Sequence, residues 1–269
     1  MSEAALPVVL VASLLGLVFG SFANVAIHRW PRRESIVRPA SRCPACGTPI
    51  RPRDNIPVVS WLLLRATCRD CGARISFRYP VVELLVGVLW GLVAAVHGVT
   101  WALPAFLLLA WALVVATLID LEHRIIPNKL TYPLAPVTLA LLLLGAAGDG
   151  SWADLRRAVV VGIALPVGMF LLSEAFRHLR GQSGMGMGDV KLAVSLGLVL
   201  GWLGGWETVI GLYATVIAAV VVAFGLVLGG RARLATRIPF GPYLAIGTLV
   251  ALLAGEPLTG VVRTWIGLA

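Results

Sequence analysis

Eight apolar stretches run through this chain, at about 5–27, 81–97, 101–119, 130–147, 157–176, 190–204, 207–228 and 243–266. A run of roughly 17–25 apolar residues crosses the ~30 Å hydrocarbon core of a bilayer. Inside that core the backbone has no water to bond to, so each run must close its own hydrogen bonds as a helix. The pattern predicts an all-α polytopic membrane protein of about eight transmembrane helices. Composition agrees, with 59% of the 269 residues hydrophobic and 13% charged, far from the soluble globular range. The first stretch reads as a retained helix. Its flank carries Glu3 instead of basic residues, its apolar run is too long for a signal peptide, and no small-residue cleavage site follows.

The net charge of +9 reports topology. The segments at 28–80, 120–130, 177–191 and 229–240, which eight spans place on one side, hold 11, 2, 3 and 3 Lys or Arg, or 19 of the 22. Only Arg156, Arg157 and Arg263 fall on the other side. The positive-inside rule then puts the basic loops in the cytoplasm and both termini outside. No basic stripe interleaved with aromatics is present, so no nucleic-acid partner is expected; the lipid bilayer is the expected surround.

The one long polar segment, 28–80, carries all four cysteines and prolines at 31, 39, 44, 49, 52 and 57. About 50 residues bury too little core to fold unaided, so such a module needs staples. Cys43-Pro-Ala-Cys46 and Cys68-Arg-Asp-Cys71 are two C-x2-C knuckles 21 residues apart, the spacing of a four-thiolate zinc ribbon. Gly47 and Gly72 follow the second cysteine of each knuckle, where the turn calls for positive φ. Two disulfides are the alternative, but a reducing cytoplasm disfavours them. Four protein ligands with no open position make the predicted Zn2+ structural, not catalytic. The chain thus divides into a first helix (1–27), a cytoplasmic zinc module (28–80) and a seven-helix membrane domain (81–269).

Two carboxylates stand where apolar runs meet polar loops. Asp120 closes the run from Trp111 to Ile119 and precedes Pro127-Asn128; Asp189 follows Gly186-Met187-Gly188 and opens the next apolar run. Each alone reads as a cap or a headgroup contact. Together, on one side of the bilayer, they fit a pair sharing one proton, in which an ionised carboxylate activates water while a protonated carboxyl polarises a peptide carbonyl. Gly184, Gly186 and Gly188 leave room for another backbone to approach. Asp120 at a helix C-terminus and Asp189 at an N-terminus meet dipole ends of opposite sign, which favours a protonated Asp120 and an ionised Asp189. Lys191 has three readings: a partner for Asp189, for an acidic group of a substrate, or for a headgroup phosphate.

These residues carry a family resemblance. Gly186-Met187-Gly188-Asp189 with Lys191, the segment from Ile119-Asp120 to Pro127-Asn128, and the cysteine module resemble the bacterial prepilin peptidases, also called type IV leader peptidases. The likeness extends to Gly20-Ser-Phe-x-Asn24, Asp54-Asn-Ile-Pro57, Ser60-Trp61 and Arg78-Tyr-Pro-Val-Val-Glu83. It implies an inner-membrane aspartyl peptidase of the Gly-x-Gly-Asp class, with Asp120 and Asp189 catalytic and Gly186, Gly188 and Lys191 supporting their loop. It implies membrane-anchored prepilin or pseudopilin substrates, and N-methylation of the new terminus with S-adenosylmethionine, associated with the cysteine module. No G-x-G-x-x-G follows a strand to mark a methyl-donor site.

A proton-coupled transporter with a regulatory zinc ribbon is the competing class, and it predicts carboxylates at mid-bilayer. Elsewhere the glycine ladders Gly16/Gly20 and Gly197/Gly201/Gly205 read as close helix packing. Trp90, Trp101, Trp111, Trp152, Trp202, Trp206 and Trp265 read mostly as interfacial anchors. Glu83 reads as a cap or a partner of Arg78, and Glu174 as an i, i+3 partner of Arg177. His28 and His123 belong to the shared motifs without an evident role.

Overall fold

The structure is a computed structural model that describes residues 5–181, 185–229 and 239–265, without the side chains of Ala5 and Arg180. Glu3, Gly184, Arg231, Arg233 and Arg237 lie outside the described residues. The chain forms two compact units, Met1–Val99 and Thr100–Ala269, and a helix falls within each of the eight expected stretches.

In the first unit, α1 (Ala5–Arg29) packs along α3 (Arg78–His97). A side-chain carbon on Gly16 would lie 2.8 Å from Gly87 Cα, and one on Gly20 would lie 2.6 Å from Glu83 Cα. The first ladder is therefore a backbone-to-backbone contact. The polar module between these helices has a 3₁₀ turn (Pro52–Asp54) and a short α2 (Val59–Leu63). Two isolated antiparallel bridges, Arg42 with Pro49 and Thr67 with Arg74, close its knuckles. Arg69 grips Asp54 through three hydrogen bonds of 2.6–3.1 Å, and the guanidinium holds the Asp54 carboxyl below its usual range.

The second unit contains α4 (Leu103–His123), α5 (Asn128–Asp149), α6 (Trp152–Arg180), α7 (Met187–Leu203), α8 (Gly205–Leu228) and α9 (Gly241–Trp265). Among the described residues, seven helices are long and apolar enough to cross a membrane; α7 is not counted among them. Its 17 residues reach only about 25 Å at 1.5 Å per residue. It is enclosed, with nearly every residue from Leu192 to Trp202 buried. A side-chain carbon on Gly197 would lie 2.5 Å from Val161 O, and one on Gly201 would lie 2.7 Å from Arg157 O. Those glycines let α6 press against α7. Gly205, the third rung, has nothing within 4 Å and instead begins α8.

The tryptophans divide. Trp101, Trp152 and Trp265 are exposed, whereas Trp90, Trp111 and Trp202 are buried. Trp90 packs on Phe19 with ring centroids 4.8 Å apart, so these three indoles fill helix contacts and are not interfacial anchors.

Candidate active site and metal centre

Asp120 lies in the last turn of α4. Arg124 ends that helix in the left-handed conformation, its N–H donating to Asp120 O at 2.9 Å. Pro127 is extended just before α5 begins; its ring fixes its own φ and disfavours helix at Ile126 before it. The extended piece through Ile126 thus hangs beside Asp120. Asp189 lies in the first turn of α7, where its N–H donates to Gly186 O at 3.1 Å.

The fold brings the two carboxyls to one end of the unit, within electrostatic reach of each other. They are only 5% and 7% exposed, so desolvation strengthens their coupling. Ile126 sits between their supports. A side-chain carbon on Gly188 would lie 3.0 Å from Ile126 Cβ and 3.3 Å from Ile126 O, which is the close backbone approach that the glycine spacing implies.

A residue the motifs do not single out completes the site. The Gly241 N–H, at the start of α9, donates to Asp120 Oδ2 at 3.1 Å. Among the described residues, Asp189 Oδ1 is buried without a hydrogen-bond partner. Asp120 at a helix C-terminus and Asp189 at a helix N-terminus match the sequence expectation. Asp120 Oδ2 accepts the Gly241 N–H and the Asp189 carboxyl the Gly186 backbone N–H, so each carboxyl has one backbone donor. The donors therefore do not separate the two carboxyls, and the shared proton belongs to the pair.

Lys191 does not pair with Asp189. Its Nζ donates to Asn128 Oδ1 at 2.9 Å and Tyr132 Oη at 3.1 Å, and lies 4.8 Å from the Tyr132 ring centre. It therefore ties the start of α7 to the start of α5.

In the first unit, the Sγ atoms of Cys43, Cys46, Cys68 and Cys71 lie within 4.8 Å of one another. Cys43 and Cys71 are 3.9 Å apart, close to the ~3.8 Å edge of a tetrahedron with 2.3 Å Zn–S bonds. No cysteine is in a disulfide. The two knuckles repeat one geometry: Gly47 N–H and Gly72 N–H each donate to the O of the first cysteine at 2.9 Å. Both glycines have positive φ, 73° and 71°. The donor set suits a structural zinc.

Comparison with known proteins accords with this arrangement. The description "Bacterial Peptidase A24 N-terminal domain" matches residues 14–97, and "Type IV leader peptidase family" matches residues 107–228. A protein of Stutzerimonas stutzeri is 40% identical, covering 93% of this chain and 92% of that protein. Relatives in Pseudomonas aeruginosa (38%; 97% and 94%) and Neisseria gonorrhoeae (33%; 95% and 93%) are similar over as much of their length. All three are named prepilin leader peptidase/N-methyltransferase. The chain belongs to the type IV leader peptidase family. No solved structure matches it.

The leader peptidase match contains both aspartates and the N-terminal match contains all four cysteines. Gly241 lies beyond both. Its only sequence signal is Phe240-Gly241-Pro242, a helix-start pattern with proline in the first turn. Glu83 was legible only as a cap or a partner of Arg78. It is 7% exposed and accepts the Val58 N–H at 2.7 Å. Asn24 Nδ2 donates to Tyr79 O at 3.1 Å. Glu83 thus fastens polar-module backbone to α3, and Asn24 ties α1 to the first turn of α3. Glu174 does pair with Arg177.

Proposed function

We propose that this protein removes the basic leader from type IV prepilins or pseudopilins by a two-aspartate mechanism, and N-methylates the terminus so exposed. The observation that carries the peptidase reading is the convergence of Asp120 and Asp189, desolvated at one end of the helical unit, in a chain of the leader peptidase family. In the proposed reaction one carboxylate takes a proton from water as that water attacks the scissile carbonyl. The other, protonated, hydrogen-bonds the carbonyl oxygen. Collapse of the tetrahedral intermediate breaks the C–N bond, and the proton taken from water passes to the leaving amine. Gly241 N–H would hold Asp120 in place, and the unpartnered Asp189 Oδ1 supplies an acceptor for the water or the peptide. Gly186, Gly188 and Lys191 would hold the loop.

The same reading assigns the module at 28–80 to zinc through Cys43, Cys46, Cys68 and Cys71, and the chemistry of cleavage to the helices after it. S-adenosylmethionine would supply the methyl group, consistent with the relatives' name; no residues are assigned to it. The enzyme would lie in the bacterial inner membrane with the module and aspartates facing the cytoplasm and both termini outside. The transporter alternative has no support, since both carboxylates are at helix ends and not at mid-span.

The test is incubation of the detergent-purified protein with a membrane-anchored prepilin, with product mass read with and without S-adenosylmethionine. Asp120→Asn and Asp189→Asn are expected to lose about 10²–10⁴-fold in cleavage. Cleavage by either variant at the wild-type rate would overturn the mechanism. Product of unchanged mass with the methyl donor present would overturn the second activity alone.

A further inference from the structure

At the far end of α7 from Asp189, Gly204 breaks the helix with φ 148° and ψ 171°, and α8 begins at once. A recess of about 520 Å³ opens around this corner. Its walls include Arg157 of α6, Trp206 and Glu207 of α8, and Glu256, Thr259 and Arg263 of α9.

Two of the four charges are held by the fold. Arg157 donates to Asp154 at 2.7 Å and to the carbonyls of Gly201 and Trp202, each at 3.3 Å, so it caps the last turn of α7. Glu207 Oε1 accepts the Thr259 hydroxyl at 2.8 Å. The other two are not held: among the described residues, the side chains of Glu256 and Arg263 make no hydrogen bond or ion pair. The peptidase reading uses none of the four.

The recess carries two acidic and two basic side chains, so a ligand of one sign would leave charge of the other sign unmatched. A small group bearing both signs suits it. Carboxylates accept N–H bonds from a primary ammonium, and guanidinium forks match phosphate oxygens. The volume lies in the range of small-ligand sites. The recess is built from the ends of membrane-length helices with an indole on its wall, which is headgroup level in a bilayer. We propose that this recess binds a phosphoethanolamine group, with its phosphate on Arg157 and Arg263 and its ammonium on Glu207 and Glu256. A phosphatidylethanolamine headgroup and a soluble phosphoethanolamine present the same chemistry.

Native mass spectrometry of the delipidated full chain tests this, with phosphatidylethanolamine, phosphatidylcholine, phosphatidylglycerol and soluble O-phosphoethanolamine each titrated. Phosphatidylethanolamine is expected to bind about tenfold tighter than the other two lipids, one charge contact being worth roughly that factor. Glu256→Gln and Arg263→Gln, which break no side-chain hydrogen bond or ion pair of the described fold, are each expected to weaken it about tenfold. Their melting temperatures without lipid show whether the fold is kept. If the soluble compound binds as tightly as the lipid, the headgroup is the whole ligand; if only the lipid binds, the bilayer is its source. Both uphold the assignment. Equal binding of the three lipids, or undiminished phosphatidylethanolamine binding in a variant carrying both substitutions, overturns it.

Discussion

At the scale of single residues, the site depends on one backbone donor and the space around it. Gly241 N–H reaches Asp120 Oδ2 because Gly241 has no side chain to intervene; a carbon there would lie 2.8 Å from that oxygen and 3.3 Å from Ile126 Cδ1. Gly241→Ala therefore keeps the N–H but pushes the carboxylate aside. A displacement approaching 1 Å costs on the order of 10²-fold in rate, so single-turnover cleavage is expected to fall by about that factor with the melting temperature little changed. Wild-type cleavage by this variant would show that the Asp120 position is not critical. The two aspartates were legible because carboxylates beside apolar runs are rare and their flanking glycines and prolines mark helix ends. Gly241 was not, because a helix-start glycine is common and its importance lies in a neighbour 121 residues away.

At the scale of elements, apolar length and charge spacing predicted every helix of the described bundle. What they could not rank is how each helix is used. α7 reads in sequence as one more span, but it is the short, enclosed helix that carries Asp189. Gly197 and Gly201 explain how it fits, since a side-chain carbon on either would meet backbone atoms of α6 within 2.9 Å. Backbone cannot yield as a flexible side chain does. Gly197→Ala is expected to lower stability by about 1–3 kcal/mol, the usual cost of overpacking, and to reduce cleavage through α7. Gly168→Ala, on α6 with nothing within 4 Å, is the matched control and should be neutral or slightly stabilising. Thermal unfolding in detergent compares the two, and equal midpoints would show that the α6–α7 contact is loose. The tryptophans show the same limit. Hydropathy places an indole near a span end, but only packing tells an exposed indole such as Trp152 from a core residue such as Trp202.

At the scale of the whole molecule, the two chemistries inferred for the chain fall in different compact units. The four thiols lie within Met1–Val99, and Asp120, Asp189, Gly241 and Lys191 lie within Thr100–Ala269. The polar module has only two isolated bridges, a 3₁₀ turn and a five-residue helix as regular structure, and a segment that small depends on its metal to stay folded. Each helix of the second unit instead closes its own backbone bonds in the bilayer. Zinc removal should therefore melt the module and spare the aspartates. Cys43→Ser, or a chelator strong enough to strip the site, is expected to release one zinc per chain and abolish the methyl mass increment. Leader cleavage should persist within about tenfold of the wild-type rate, a loss below that of removing a general acid or base. Zinc content by elemental analysis and product mass, taken on the same samples, decide it. Cleavage lost in step with zinc would show that the aspartate unit relies on the module.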